Sequence, residues 1–496
     1  MFKPKLFLRP RIILSFALIG IFYIVFSNIG QYTNDAHFGG DDFGYQSMAV
    51  NFAKGHGMQK FGGLEKFDEY KFDKLDTSLI NYFNENAGWD FFYRPPAYPL
   101  FLGVIYKIFG VHPIIAKHIQ LLLLIIIASA LPLIGFYYWK NIGFISGLIA
   151  GPLYLSFNYK FSEYILTESL ISFSVFLVVI SFIYAEYKKY NILSSVILGM
   201  TIGFCLLVKG GFMFIPILIG IYLLYKFYKK RDKKLLLSLA VFTLVCLFTV
   251  LPWCLYASMK SHSIVFVSTQ GDAILLNTNN EYCNNGIWYP EWKDKKESFY
   301  NNDNMEGKPG IIRVLNFYEH HPNLILKILE KKLVQSYNYF LFFWIIIILF
   351  IIEALLIFFR KYFSGLYIYL CMLAFPLLIL FVTYWIMFLG QDYHHILQAF
   401  SNNPSVMKLE GWAIGLSAIF IVFLMRKHYF LLKIPSVFYI LFLNFFLVSF
   451  IIGADHAVYA SRYVRVMDFV FVLIAVVYSI NLISFLIKTL ANGYNT

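Results

Sequence analysis

Two adjacent carboxylates, Asp41 and Asp42, stand in the stretch HFGGDDFGYQSMAVNFAKGHG, just past the first hydrophobic segment of the chain. Behind them Tyr45, Met48, Ala49, Phe52 and Ala53 fall at i, i+3, i+4, i+7 and i+8. That spacing puts them on one face of a short helix, which Gly55 and Gly57 can stop. An aspartate at the start of a helix accepts orphan backbone N–H groups and meets the positive end of the dipole. Capping is the commoner role, and one aspartate suffices for it. The second is available as a general base, because a carboxylate at a half-dry interface is readily tuned for proton removal.

Other charged side chains also stand beside apolar segments. Arg94 precedes Pro95 and Pro96. It is either an arginine anchored at the membrane surface or an anion clamp whose fork suits phosphate oxygens. Glu168, in EYILTESLISF, opens an apolar segment. It either shares a helix-start cap with Thr167 or faces a polar cavity, since an ionised group at membrane depth is costly. Lys209, Arg462 and Arg465 are cations on connections otherwise poor in them. Each alone suits a headgroup anchor, and together they suit a lipid headgroup or a negatively charged lipid-linked substrate. His394 and His395 are adjacent, and neighbours on a helix point about 100° apart, so they suit a solvated loop better than one shared metal.

The elements that must position these groups are membrane helices. The 496 residues are 59% hydrophobic and only 14% charged, far from the balance of soluble domains. Apolar segments long enough to cross a bilayer are expected near 11–30, 113–138, 142–158, 165–186, 190–208, 211–228, 234–257, 339–359, 364–389, 410–426, 433–453 and 465–488. The fold class expected is therefore an all-α polytopic membrane protein of about twelve transmembrane helices, with the first one uncleaved. The net charge of +13 comes from Lys and Arg clustered between alternate segments, as in KFYKKRDKK from Lys226. This is a topological signal, placing those loops and both termini in the cytoplasm, and it argues against a nucleic-acid partner. Two exterior stretches are too long for mere connections, 31–112 and 258–338. The first is expected to hold two juxtamembrane helices lying in the interface plane, one after Asp41 and one in RPPAYPLFLGVIYKIFG. The second is expected to form a small exterior loop domain. The chain then divides into 1–257, 258–338 and 339–496. Cys254 is the one cysteine near enough in sequence placement to reach the exterior Cys283, and no disulfide framework is indicated.

The order of DDFGYQSMAVNFAKGHG, YRPPAYPLFLGVIYKIFG, LTES, LPWCLYASMKSHSIVFVSTQGDAILLNTNN and RYVR resembles that of the polytopic GT-C glycosyltransferases. The resemblance is to the aminoarabinose-transferase-like and protein-mannosyltransferase-like branch. It covers most of the chain to about Asn280 and is weak from 290 to 450. It implies a GT-C fold and inverting transfer of a sugar from a polyprenyl-phosphate (undecaprenyl-phosphate-type) donor to a lipid, glycan or protein acceptor, lipid A or lipopolysaccharide among them. The active site would face the exterior, or periplasm, of the cytoplasmic (inner) membrane. The resemblance also implies that Asp41 is the base, assisted by Asp42 and Glu168. The family's basic residue before Pro-Pro maps onto Arg94 and its Arg-Tyr onto Arg462 and Tyr463; with the exterior cations Lys209 and Arg465, Arg94 and Arg462 would bind the donor phosphate, and Tyr45, Tyr93 and Tyr463 would line the substrate cavity. Asp42 replaces the family's commoner glutamate, and Val466 stands where relatives often have proline. Tyr93 stands where some relatives carry a metal-binding glutamate, so no metal ligand is carried over and a divalent cation is left open as a cofactor.

A membrane transporter or lipid-linked-sugar flippase is the alternative of a different class. It would place charges or broken helices near the bilayer midplane. Here the charged residues gather at segment ends, with Glu353 the main exception.

Overall fold

The computed structural model describes residues 4–33, 41–55, 57, 91–262, 264–283, 293–305, 307–337, 435–451 and 466–493. Among these residues the secondary structure is helical throughout, with no strand. Five helical segments are long and apolar enough to cross a membrane, so the chain is a multi-pass membrane protein. The segments expected at 339–359, 364–389 and 410–426, together with Glu353, His394 and His395, lie outside the described residues.

Helix α1, Pro4–Ile29, packs along α4, Pro113–Asn158. The 46-residue α4 is two helices in one, because Trp139 and Lys140 leave helical geometry and Lys140 takes a positive φ of 56°. The arms 113–138 and 141–158 fold back on each other as a hairpin, matching the two segments expected from hydropathy. Small residues set the closeness of the arms. A Cβ on Gly135 would overlap the Gly143 carbonyl, one on Gly143 the Gly135 carbonyl, and one on Gly147 the backbone of Pro132. With no hydrophobic drive between helices in lipid, such backbone approach is what dispersion can reward. Arg11 of α1 locks the bend by donating to Asn141 Oδ1 at 2.8 Å and lying 4.0 Å from the Phe136 ring centre.

The following helices are α5 Glu168–Tyr187, α6 Ile192–Val208, α7 Phe214–Lys230 and α8 Lys233–Ser261. They agree with hydropathy to within a few residues. Asn191 caps α6 through Ser194 N–H at 2.9 Å, and Asp232 caps α8 through Lys234 N–H at 3.0 Å. At the end of the bundle holding Arg11 and the α4 bend, Glu186 accepts from Lys226 at 3.0 Å and Tyr222 at 2.8 Å. The clusters Lys188–Lys189 and Lys229–Lys234 lie at that same end, and Glu168 and Lys209 lie at the other.

Two shorter helices pack as a pair, α2 Asp41–Ala53 and α3 Ala97–Phe109. Both were expected from sequence, and α3 ends as expected at Gly110, whose φ is 82°. Their setting differs from expectation. A helix lying in the interface would bury one apolar stripe, yet α2 buries Gln46, Ser47 and Asn51 as fully as Met48, Ala49 and Val50. It is enclosed by protein, and Tyr106 of α3 donates to Gln46 Oε1 at 2.6 Å. Gly103 permits the approach, since a Cβ there would press on Phe52 and the Ala49 carbonyl. Helix α3 alone keeps an exposed apolar edge, through Val104, Ile108 and Phe109.

Beyond α8 lie α9 Gln270–Thr278, α10 Phe299–Asn302, α11 Gly310–His320 and α12 Pro322–Tyr337. Tyr300, Val314, Phe317 and Ile328 form a small core of their own. Cys254 and Cys283 are both free thiols and do not pair. Two late helices complete the described chain, α13 Ser436–Ile451 and α14 Asp468–Gly493. The latter packs along the α4 hairpin, where Asn158 donates to Asp468 at 3.4 Å.

Candidate active site

The site grows from the α2–α3 pair where it meets the ends of α4 and α5. Asp41 is the first residue of α2, and Asp42, the second, is buried at 5% exposure. One turn on, the Tyr45 ring lies edge-on to Tyr98, centre to centre 4.9 Å. Arg94 sits 5.4 Å from the Tyr45 ring centre and 5.0 Å from that of Tyr93, a cation held between two aromatic faces. The Arg94 segment is fixed from behind by the far end of α8. Phe92 packs with Trp253, Ala257 and Val265, and the Phe92 carbonyl accepts from Thr269 N–H at 2.9 Å.

The hydroxyl of Tyr98 donates to Gln120 Oε1 at 2.7 Å, and the Gln120 amide in turn donates to the Tyr164 carbonyl at 2.8 Å. This chain ties α3 to the first turns of α4 and to the connection leading into α5. Burial holds the Tyr98 phenol well above its usual range, and the negative charges of Asp42 and Glu168 push it the same way. The neighbouring Tyr106 phenol is also held high by burial, with Asp42 contributing.

Glu168 is fully buried at the first turn of α5. The capping alternative is not realised by Thr167, whose side chain makes no cap bond and whose backbone is itself helical. Glu168 instead pairs with Lys209, Oε1 to Nζ 3.8 Å. Lys209 ends α6 in extended geometry and leads into a tight turn through Gly210–Phe212. Its side chain is 14% exposed.

The structure thus brings Asp42, Tyr45, Tyr93, Arg94, Glu168 and Lys209 to one end of the bundle, and α2 carries Asp41 into the same region. Arg462, Tyr463 and Arg465 lie outside the described residues, which resume at Val466, itself buried. Sequence reading missed Tyr98, Tyr106, Gln46 and Gln120. A signal for Gln120 existed, an amide followed directly by the apolar run LLLLIII, because a buried amide must find partners. Among the described residues no group of three or more His, Cys, Asp or Glu side chains is placed to hold a metal ion. The chemistry the arrangement offers is proton removal by carboxylate and charge neutralisation by Arg94 and Lys209.

One family model matches part of the chain. Residues 99–266 match the family model described as dolichyl-phosphate-mannose-protein mannosyltransferase. The match begins in α3, just after Arg94 and Tyr98, and runs through α4 to the end of α8, taking in Glu168 and Lys209. No curated protein and no solved structure matches the chain. The chain is a multi-pass membrane protein whose residues 99–266 are similar to the dolichyl-phosphate-mannose-protein mannosyltransferase family.

Proposed function

We propose that this protein is an inverting glycosyltransferase. It moves a sugar from a polyprenyl-phosphate donor to an envelope acceptor, a lipid such as lipid A, another glycan or a protein, at the outer face of the cytoplasmic membrane. The observation that supports this most is the gathering at one end of the bundle of the Lys209–Glu168 pair, 3.8 Å apart, and of Arg94 stacked on Tyr45 of the helix that carries Asp41 and Asp42. Acid and base are gathered there at one end of a membrane bundle. The basic clusters at the opposite end favour an exterior location for the site by the positive-inside rule.

In the reaction an acceptor hydroxyl attacks the anomeric carbon from the face opposite the phosphate. Its proton passes to a carboxylate at the start of α2, Asp41 in this reading, with Asp42 supporting it. The bond from the anomeric carbon to the phosphate oxygen breaks, and polyprenyl phosphate leaves with the electron pair. Arg94 and Lys209, joined by Arg462 and Arg465, match the charge that grows on that oxygen, so the leaving group needs no proton. Tyr45, Tyr93 and Tyr463 wall the cavity, and Glu168 holds Lys209 in place. The wider architecture proposed is a GT-C fold of about twelve spans, comprising a catalytic module over 1–257, an exterior loop domain over 258–338 and C-terminal spans over 339–496.

The test is sugar transfer by purified protein in a bilayer, supplied with a panel of C55 polyprenyl-phosphate sugars and envelope acceptors. Wild type should transfer at least one sugar, and Asp41→Asn should lose turnover by a hundredfold or more. Full turnover in a well-folded Asp41→Asn variant would remove Asp41 as the base, and absence of transfer with every donor would overturn the reading.

A further inference from the structure

Gln120 lies near the start of α4 and has no exposed surface. Its amide is matched on both sides. Tyr98 donates to Oε1 at 2.7 Å, and Nε2 donates to the Tyr164 carbonyl at 2.8 Å and to the Ser162 carbonyl at 3.5 Å. Carbonyls only accept, so they fix which half of the amide faces them and leave the oxygen for Tyr98. Glutamate would turn a carboxylate oxygen toward two carbonyls, and methionine would leave the Tyr98 hydroxyl and the Tyr164 carbonyl unmatched.

Each side of this amide leads to a cation. The Tyr98 ring lies edge-on to Tyr45 at 4.9 Å, and the Tyr45 ring lies 5.4 Å from the Arg94 guanidinium. Arg94 is also four residues before Tyr98, and Pro95 and Pro96 stiffen the backbone between them. On the other side, the chain passes from Tyr164 through the buried Ile165 and Thr167 to Glu168, which pairs with Lys209 at 3.8 Å. One continuous path therefore runs from Arg94 through Tyr45, Tyr98, Gln120 and the short segment 164–168 to Lys209. Gln120 joins its two halves.

We infer that Gln120 is a positioning residue that sets the spacing of Arg94 and Lys209, so that both cations act on one lipid-borne phosphate. This rests on the donor reading above, and Gln120 itself contacts neither cation. Two cations share a phosphate only at a spacing that lets both approach it, and a misplacement of about 1 Å can cost about a hundredfold. The path through Gln120 predicts an energetic coupling between residues that do not touch, which a double-mutant cycle measures.

The experiment measures binding of bare C55 polyprenyl phosphate to the full chain in nanodiscs by native mass spectrometry. The bare carrier isolates the phosphate from any sugar. Gln120→Met should bind about tenfold more weakly than wild type. Tyr98→Phe, which removes one hydroxyl and cuts the same path, should lose a similar factor and carries the test if Gln120→Met does not fold. In an Arg94→Met or a Lys209→Met background, adding either variant should cost less than about twofold, because a single cation has no spacing to set. A merely structural role would not produce that loss of effect. Wild-type affinity in Gln120→Met and Tyr98→Phe overturns the inference and leaves the donor reading standing. A repeated tenfold loss in both cation backgrounds also overturns it, by showing that Gln120 acts on the fold at large. Failure of wild type to bind the carrier overturns the donor reading, and the inference with it.

Discussion

Replacing Lys209 by methionine removes the cation 3.8 Å from a carboxylate that has no exposed side-chain surface. At an effective dielectric of about 20, Coulomb's law gives a gross attraction of about 4 kcal/mol at that separation. Desolvation of both groups offsets part of it, so the net coupling expected is about 1–3 kcal/mol. Removing either partner alone should cost about 3 kcal/mol or more, because the other charge stays buried without its counter-charge. The double variant Lys209→Met with Glu168→Gln should then be more stable than the two single losses added together. The assay is a double-mutant cycle on unfolding free energy in bilayer discs, with hydrogen exchange at the start of α5 as a local readout. Strict additivity, with the double loss equal to the sum of the singles, would refute the claim that these residues form one electrostatic unit. The cycle also separates structure from chemistry, since the double variant should regain stability without regaining donor binding.

Arg94→Lys keeps the charge and loses the planar fork stacked on Tyr45 and Tyr93, so donor affinity should fall about tenfold, read by lipid binding. Tyr98→Phe deletes the donor to Gln120 in a fully buried place and should cost about 1–3 kcal/mol, read by unfolding in detergent. Gly143→Val drives side-chain atoms into the Gly135 carbonyl and should destabilise the α4 hairpin by about 3 kcal/mol or more, read as loss of monodisperse protein. Lys332, on α12, is pushed down to about 7 by burial, against 10.5 for a free lysine. Between these values the unfolded chain binds more protons than the folded one, so stability should rise from pH 7 to pH 10. Lys332→Met should flatten that rise, read as melting temperature against pH.

Much of the scaffold was legible because lipid imposes a simple rule: an apolar stretch of about twenty residues must be a helix. The hairpin of α4 could be read from the polar break at Trp139, Lys140 and Asn141, and α3 from its paired prolines and Gly110. The burial of α2 was not legible. Its apolar stripe reads as interfacial, and only its packing against α3, with Tyr106 donating to Gln46, shows it enclosed. The partnership of Glu168 with Lys209 was equally hidden, since 41 positions separate them and only the return of α6 beside α5 joins their ends. The chemical types at the site could be listed from sequence, whereas Tyr98, whose hydroxyl ties α3 to Gln120 of α4, looked like one aromatic among 37 tyrosines.

Glycosyl transfer and passive movement of a lipid-linked sugar differ in one covalent event. Vesicles containing only this protein, a radiolabelled C55 polyprenyl-phosphate sugar and an envelope acceptor extract should release one bare polyprenyl phosphate for every sugar that appears on acceptor. Movement of intact donor between leaflets, with the bond from sugar to phosphate uncleaved, would contradict the account.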